Sequence, residues 1–233
     1  MGLFYDSTYL LVILAALISM AVSARMNTIF SKYQTVRSYS GMTGREAAMR
    51  ILHQAGIYDV TVRHVSGKLT DHYDPRTKTV NLSDAVYDST SVAAIGVAAH
   101  ECGHAVQHAR GYAPLVLRSQ LVPVVQFASS AATWVIILGL VILASTRNEL
   151  LCWIGVGMIA VSALFSIITL PVEYNASARA LEWLQVSRTM QGAQLAQAKE
   201  ALSWAARTYL VAALSAIASV LYYVLLILGG RRD

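Results

Sequence analysis

The sequence predicts an α+β membrane protein, with about four transmembrane helices and one region of mixed helix and strand outside the bilayer. Of the 233 residues, 56% are hydrophobic and only 13% are charged, which is far from the average of a soluble domain. Four stretches also have the length and apolarity of a helix that crosses a bilayer, which needs about 20 residues. They run from Leu3 to Ala24, from Leu121 to Ser145, from Leu150 to Leu170 and from Tyr209 to Leu228.

The first apolar stretch is interpreted as a permanent anchor and not as a cleaved signal peptide. Val22-Ser23-Ala24 offers the small residues that a signal peptidase requires. Residues Met1 to Tyr9, however, contain Asp6 and no Lys or Arg, whereas a signal peptide carries a positive n-region.

The basic residues that follow the first span predict the orientation of the protein. Because cytoplasmic segments are enriched in Lys and Arg, we expect the segments from Arg25 to Gln120 and from Pro171 to Thr208 to face the cytoplasm. Arg231-Arg232 is an exception, since this topology places it outside. The net charge of +5 is spread over segments that flank the spans, without a dense basic stripe. It therefore predicts contact with a lipid bilayer and no binding of nucleic acid. The basic residues close behind the first span are Arg25, Lys32, Arg37, Arg45 and Arg50.

The segment between the first two spans predicts a helix followed by three short strands. Thr43-Gly44-Arg45-Glu46 is a capping box that begins a helix, which we expect to reach about Ala55 and stop at Gly56. A period-two pattern begins at Asp59, and turn residues divide it into a three-strand meander. The strands are predicted at Val60 to Val65, Leu69 to Tyr73 and Lys78 to Leu82.

Two further helical regions follow. The first begins after Ser89, Thr90 or Ser91, each of which can cap it, and Gly111 can end it. The second is expected to begin after Pro171 and to run through Ala180 to Leu184. Gly192 is a predicted break before the helix that continues into the last span.

The helix after the strands carries an H-E-x-x-H motif, His100-Glu101-Cys102-Gly103-His104. Residues four apart share a helix face, so the two imidazoles converge while Glu101 flanks the point where they meet. An ordinary solvated helix edge is the alternative. The apolar run Val92 to Ala99 argues against it, because a buried helix leaves its polar groups in need of partners. A zinc ion would satisfy them, and catalytic zinc uses three protein ligands and one open position.

The third ligand must lie on the same side of the membrane as His100. Glu173 is the strongest candidate, because only Pro171 and Val172 separate it from the end of the third span, and the two preceding spans form a hairpin that returns the chain to that side. A helix N-terminal carboxylate that is favoured by the helix dipole is the alternative reading of Glu173. His108 lies two turns beyond His100, which is too far along the helix to join the same ion.

These motifs resemble the YugP-type family of membrane zinc metallopeptidases in two stretches, Ala99 to Gln107 and Leu170 to Ser177. More distantly the chain is similar to the HtpX-like and Ste24-like gluzincins, membrane proteases whose third ligand is the glutamate of an E-x-x-A-D pattern. Here Ser177 stands in place of the Asp. The resemblance implies Glu173 as the ligand and Zn²⁺ as the cofactor. It also implies a zincin-like catalytic domain that comprises a helix, a three-strand sheet, the HExxH helix and a glutamate helix.

The predicted organisation has five parts. Residues 1–24 form a transmembrane anchor and 25–120 the zincin-like catalytic domain. Residues 121–170 form a transmembrane hairpin, 171–208 the helical segment with the third zinc ligand, and 209–233 the last transmembrane helix and the C-terminal tail.

The predicted function is that of an integral membrane zinc-dependent endopeptidase in which Glu101 is the general base for a zinc-activated water. Substrates are expected to be peptides or membrane and membrane-proximal proteins. Residue type alone marks His72, Tyr73, Tyr174 and Arg179 as candidates to stabilise the oxyanion. The resemblance implies that Ser177, at the position of the Asp, orients a ligating histidine, more weakly than a carboxylate would. The strand Thr79, Val80, Asn81 and Leu82 resembles the edge strand on which zincins bind substrate, although a core strand is equally compatible with it.

Two other classes of function are weighed. A non-catalytic zinc-binding scaffold or assembly subunit is the main alternative, but the intact Glu101 counts against it, because structural zinc sites use four protein ligands. A transporter or channel is disfavoured, because the spans contain no string of ionisable residues.

Overall fold

The computed structural model describes residues 8–229, so the predictions that concern Leu3, Asp6 and Arg231-Arg232 lie outside the described residues. The described chain contains six helices and three strands, which confirms the predicted α+β class. In chain order they are α1 (Tyr9–Gln34), α2 (Gly44–Gln54), β1 (Thr61–His64), β2 (His72–Asp74), β3 (Thr79–Leu82), α3 (Val92–Ala109), α4 (Ala113–Thr146), α5 (Leu150–Val186) and α6 (Gly192–Gly229).

Four helices of the described chain, α1, α4, α5 and α6, are long and apolar enough to cross a membrane. They agree with the four predicted spans, but α5 corrects the prediction that a helix begins after Pro171, because it runs through that residue without a break. Proline removes one backbone donor from a helix interior. The turn that follows the proline is held by α3, because the side-chain amide of Gln107 donates to the carbonyl of Val172 at 2.8 Å and to Oδ1 of Asn175 at 3.0 Å.

The chain divides into two compact units. Among the described residues, one contains 8–22, Leu117–Leu170 and 208–229, and it holds most of the apolar helical length. The other contains Ser23–Val116 and Pro171–Arg207, and it holds α2, α3 and the sheet.

The sheet has the strand order β1-β3-β2, so the predicted meander is wrong. β3 lies in the centre, parallel to β1 and antiparallel to β2. All four residues of β3 are buried, and Val80 and Leu82 are completely so. Because the most apolar strand takes the position that is covered on both sides, Thr79–Leu82 is not an edge strand. The corresponding prediction is therefore corrected, and β1 and β2 form the edges.

The two helices that frame the site begin as the sequence predicts. Thr43 caps α2 through a complete capping box, in which its hydroxyl accepts from the Glu46 amide at 3.2 Å. Ser91 caps α3 by accepting from the amide of Ala94 at 3.1 Å. α2 packs against α3 in one hydrophobic core, which fixes the position of the helix that carries the two histidines. Buried residues of this core include Ala47, Ala48, Ile51, Leu52, Ile95, Ala98 and Cys102.

Candidate metal centre

The site forms where α3 approaches α5 at Gly103. A Cβ atom at Gly103 would lie 2.6 Å from the carbonyl oxygen of Ala176 and 3.0 Å from its Cα. Only a residue without a side chain permits this approach of one helix backbone to the other. As a result, the turn of α5 that carries Glu173 lies against the turns of α3 that carry His100 and His104.

Three side chains converge on one point. The Nε2 atoms of His100 and His104 lie 3.2 Å and 3.6 Å from Oε2 of Glu173. One ligand atom from each of the three residues can be chosen so that all lie within 4.8 Å of one another. Two ligands with bonds of about 2.0–2.1 Å to one tetrahedral zinc ion are themselves about 3.4 Å apart. The spacing and the chemistry of this donor set therefore fit zinc.

The buried carboxylate of Glu173 requires a positively charged partner. The side chain of Glu173 is 2% exposed, and those of His100 and His104 are 14% and 10% exposed. Burial by itself would lower the pKa of His104, but the hydrogen bond with Glu173 and the negative charges of Glu101 and Glu173 outweigh it, so the pKa is raised. The pocket therefore favours a cation between the imidazoles and the carboxylate, and a divalent metal ion meets that requirement.

The second nitrogen of each histidine ring is held by a neighbouring side chain. Nδ1 of His100 lies 3.1 Å from the hydroxyl of Ser177, and Nδ1 of His104 lies 3.0 Å from Oε1 of Gln107. Gln107 is completely buried, and its amide donates to the carbonyl of Val172 at 2.8 Å and to Oδ1 of Asn175 at 3.0 Å. These contacts direct both Nε2 atoms towards Glu173.

Gln107 and Asn175 are two residues that sequence reasoning missed. Gln107 lies three residues after His104 and seven after His100, so it shares their helix face. That spacing could have identified it as a partner of one of the rings. Asn175 could not have been found in this way, because its contact with Gln107 depends on the crossing of α3 and α5.

Glu101 follows His100 in α3, and its negative charge acts on the neighbouring His104 ring. It is 8% exposed, and no hydrogen bond or ion pair to its carboxylate occurs among residues 8–229. Cys102, the next residue, faces the opposite side of α3 and its thiol donates to the carbonyl of Ala48 at 3.5 Å. Burial raises the pKa of this thiol, which therefore stays protonated and does not compete as a ligand.

The remaining predicted residues have distinct environments. Both ring nitrogens of His72 are engaged, with the carbonyl of Thr70 at 2.8 Å and with the amide of Asn81 at 3.1 Å. Arg179 donates from Nε to Oδ1 of Asn175 at 2.8 Å, and Tyr174 is exposed. These positions leave His72 without a free donor and make Arg179 a support for Asn175.

Tyr73 lies on β2 beside the last turns of α3. Its hydroxyl lies 2.9 Å from Nδ1 of His108, one helical turn beyond His104. Burial, with the charges of Asp59 and Asp74, raises the pKa of Tyr73 to about 12. The hydroxyl therefore remains a hydrogen-bond donor at neutral pH.

Comparison with known proteins gives a consistent result. Residues 8–228 match the family described as "Putative neutral zinc metallopeptidase". The chain is also 44% identical over 211 residues to "Putative membrane protease YugP" of Bacillus subtilis (strain 168), a match that covers 90% of this chain and 91% of that protein. No solved structure shows a significant match to the chain.

Proposed function

This chain belongs to the neutral zinc metallopeptidase family, and on that premise we propose that it is an endopeptidase of the gluzincin kind. It is a multi-pass membrane protein whose cofactor is zinc. One observation carries the proposal: two imidazole nitrogens and a carboxylate oxygen converge next to a carboxylate that has no other partner within the described chain.

His100, His104 and Glu173 are the proposed zinc ligands. Bound zinc would supply a Lewis acid that lowers the pKa of a water molecule and polarises the scissile carbonyl. Three ligands leave a fourth position open, which distinguishes a catalytic zinc site from a structural one. Ser177 and Gln107 contact the Nδ1 atoms of the two rings, which would leave both Nε2 atoms free to bind the ion.

Glu101 is the proposed general base. Its carboxylate accepts a proton from the water that attacks the peptide carbonyl, and it returns that proton to the leaving amine when the C–N bond breaks. A base must be free to receive the proton, and Glu101 has no competing hydrogen bond among residues 8–229. Glu101 is the residue next to His100 in the motif, and its charge acts on His104.

We propose that the substrate lies along β2. This strand pairs with β3 on one side only, and Tyr73 on it contacts His108 of the HExxH helix. An extended peptide can add to such an edge through its backbone groups. We therefore propose β2, the antiparallel edge strand, for the substrate-binding role that the sequence suggested for β3. The Tyr73 hydroxyl would exchange its contact with Nδ1 of His108 for one with a substrate carbonyl.

Membrane proteins and membrane-proximal segments are the proposed substrates, because a site attached to membrane-spanning helices meets them at high effective concentration. We propose that the catalytic region faces the cytoplasm. The support for this is the group of basic residues that follows the first span, which includes Arg25, Lys32 and Arg37.

The test uses the detergent-solubilised full chain loaded with zinc and unfolded casein as the substrate. We expect cleavage that a chelator abolishes and that zinc restores. Glu101→Gln should keep one zinc ion and lose cleavage by a factor of at least about 10². Glu182→Gln, which changes an exposed glutamate on α5, is the matched control and should cleave as the wild type does. A Glu101→Gln protein that still cleaves would refute the assignment, and zinc binding without any cleavage would favour a non-catalytic scaffold.

A further inference from the structure

A pair of arginines and one tryptophan lie together at the ends of two apolar helical runs. The guanidinium of Arg207 lies 4.3 Å from the centre of the Trp204 ring, and that of Arg25 lies 5.8 Å from it. Both arginines are exposed and Trp204 is partly buried. We call these three residues the basic interface cluster.

The cluster marks the same boundary on both helices. Arg25 is the first charged residue of α1 in chain order, and Arg207 is the last charged residue of α6. Contacts between Tyr33 and Glu200 and between Arg25 and Trp204 show that the two helices run antiparallel here. The ends of the two apolar runs therefore meet at the same level, where phospholipid headgroups adjoin the hydrocarbon core.

No carboxylate neutralises the two arginines within the described chain. α1 contains no acidic residue, and α6 contains only Glu200, whose carboxylate accepts a hydrogen bond from the Tyr33 hydroxyl. No ion pair to Arg25 or Arg207 occurs among residues 8–229. Lys32 and Lys199 on the same two helices add further positive charge.

The chemistry of the cluster suits a phosphate group. A guanidinium that stacks on an aromatic face keeps its N–H donors free in its own plane, where they can bind phosphate oxygens in pairs. The indole also supplies an apolar surface next to the acyl chains. From this arrangement we propose that Arg25, Arg207 and Trp204 form a binding site for the phosphate of an anionic membrane phospholipid, independently of any peptidase activity.

The test is native mass spectrometry of the detergent-solubilised full chain with phosphatidylglycerol, phosphatidylcholine or inorganic phosphate added. We expect retained phosphatidylglycerol and little phosphatidylcholine, because the choline cation repels the arginines. Each basic residue near an anionic lipid surface contributes about fivefold in affinity, so the Arg25→Gln, Arg207→Gln double variant should bind phosphatidylglycerol about 30-fold more weakly. Arg63→Gln, which changes an exposed arginine on β1, is the matched control and should bind as the wild type does.

Zinc content measured on each sample reports whether the fold is intact. If the double variant loses zinc, Arg207→Gln alone is compared, with an expected fivefold weakening. Unchanged binding of phosphatidylglycerol by the folded variant would overturn the proposal. Equal retention of phosphatidylcholine would also overturn it, and so would displacement of the lipid by inorganic phosphate at the same concentration.

Discussion

Gly103→Ala tests whether the close approach of α3 and α5 builds the metal site. The new Cβ would lie 2.6 Å from the Ala176 carbonyl oxygen, about 0.8 Å short of ordinary van der Waals contact. The backbones must therefore separate, at a cost of about 1–3 kcal/mol for overpacking, offset by about 1 kcal/mol because alanine favours a helix more than glycine does. A shift of this size would separate Glu173 from two rings that now lie 3.2 Å and 3.6 Å away. We expect zinc affinity to fall about 10- to 100-fold.

The measurement is the zinc dissociation constant by competition with a chromophoric chelator, together with thermal unfolding. Gly96→Ala on the same helix is the matched control. Its Cβ would lie 3.8 Å from that of Ala198, which is ordinary contact, so we expect unchanged zinc affinity and stability that is equal or higher by up to about 1 kcal/mol. Wild-type zinc affinity in Gly103→Ala would refute the reasoning, and an equal loss in Gly96→Ala would show that the effect is not specific to the crossing.

Three further predictions concern the groups around the ligands. Gln107→Met should lower zinc affinity about 10- to 100-fold, because it frees the His104 ring, and chelator competition measures this affinity. Gln194→Met is the control and should leave the affinity unchanged, because it removes another buried glutamine, one that contacts the backbones of Arg37 and Tyr39. Ser177→Ala should weaken zinc binding by up to about tenfold through loss of one hydrogen bond to His100, whereas wild-type affinity would exclude that role. Zinc affinity should fall as the pH is lowered, because a ligating imidazole must be neutral. The raised pKa of His104 means that protons begin to compete with zinc at a higher pH than they would at an ordinary histidine. The same competition assay across a pH series measures this, and an affinity that does not change with pH would contradict it.

The helices could be predicted from the sequence because their signals are local. The Thr43–Glu46 capping box satisfies amide donors within three residues, and the structure confirms it. Of the three residues that could cap α3, the structure selects Ser91. The apolar spans depend on length and composition alone, and the α+β membrane class follows from them. The helix break expected at Pro171 is wrong, because contacts from α3 and the long apolar run outweigh the single donor that proline removes.

The sheet order and part of the site could not be predicted, because they depend on contacts between segments far apart in the chain. Period-two patterns predict β1, β2 and β3 but do not determine which strand is central. The structure places β3 in the centre, and the expected meander and the expected edge position of β3 are therefore both wrong. The sequence gives no reason for a glycine at position 103 of the motif. The reason becomes clear only from the structure, in which the backbone of Ala176 lies against it. The contact between Gln107 and Asn175 likewise exists only because two helices cross.

X-ray absorption at the zinc edge, measured on the purified full chain and on Glu173→Gln, tests the ligand set most directly. We expect one zinc ion per chain, with two imidazole nitrogens and oxygen ligands at about 2.0–2.2 Å and no sulfur. In Glu173→Gln the zinc should be lost or its coordination changed. A zinc–sulfur distance near 2.3 Å, or a spectrum that is the same in both proteins, would contradict the proposed site.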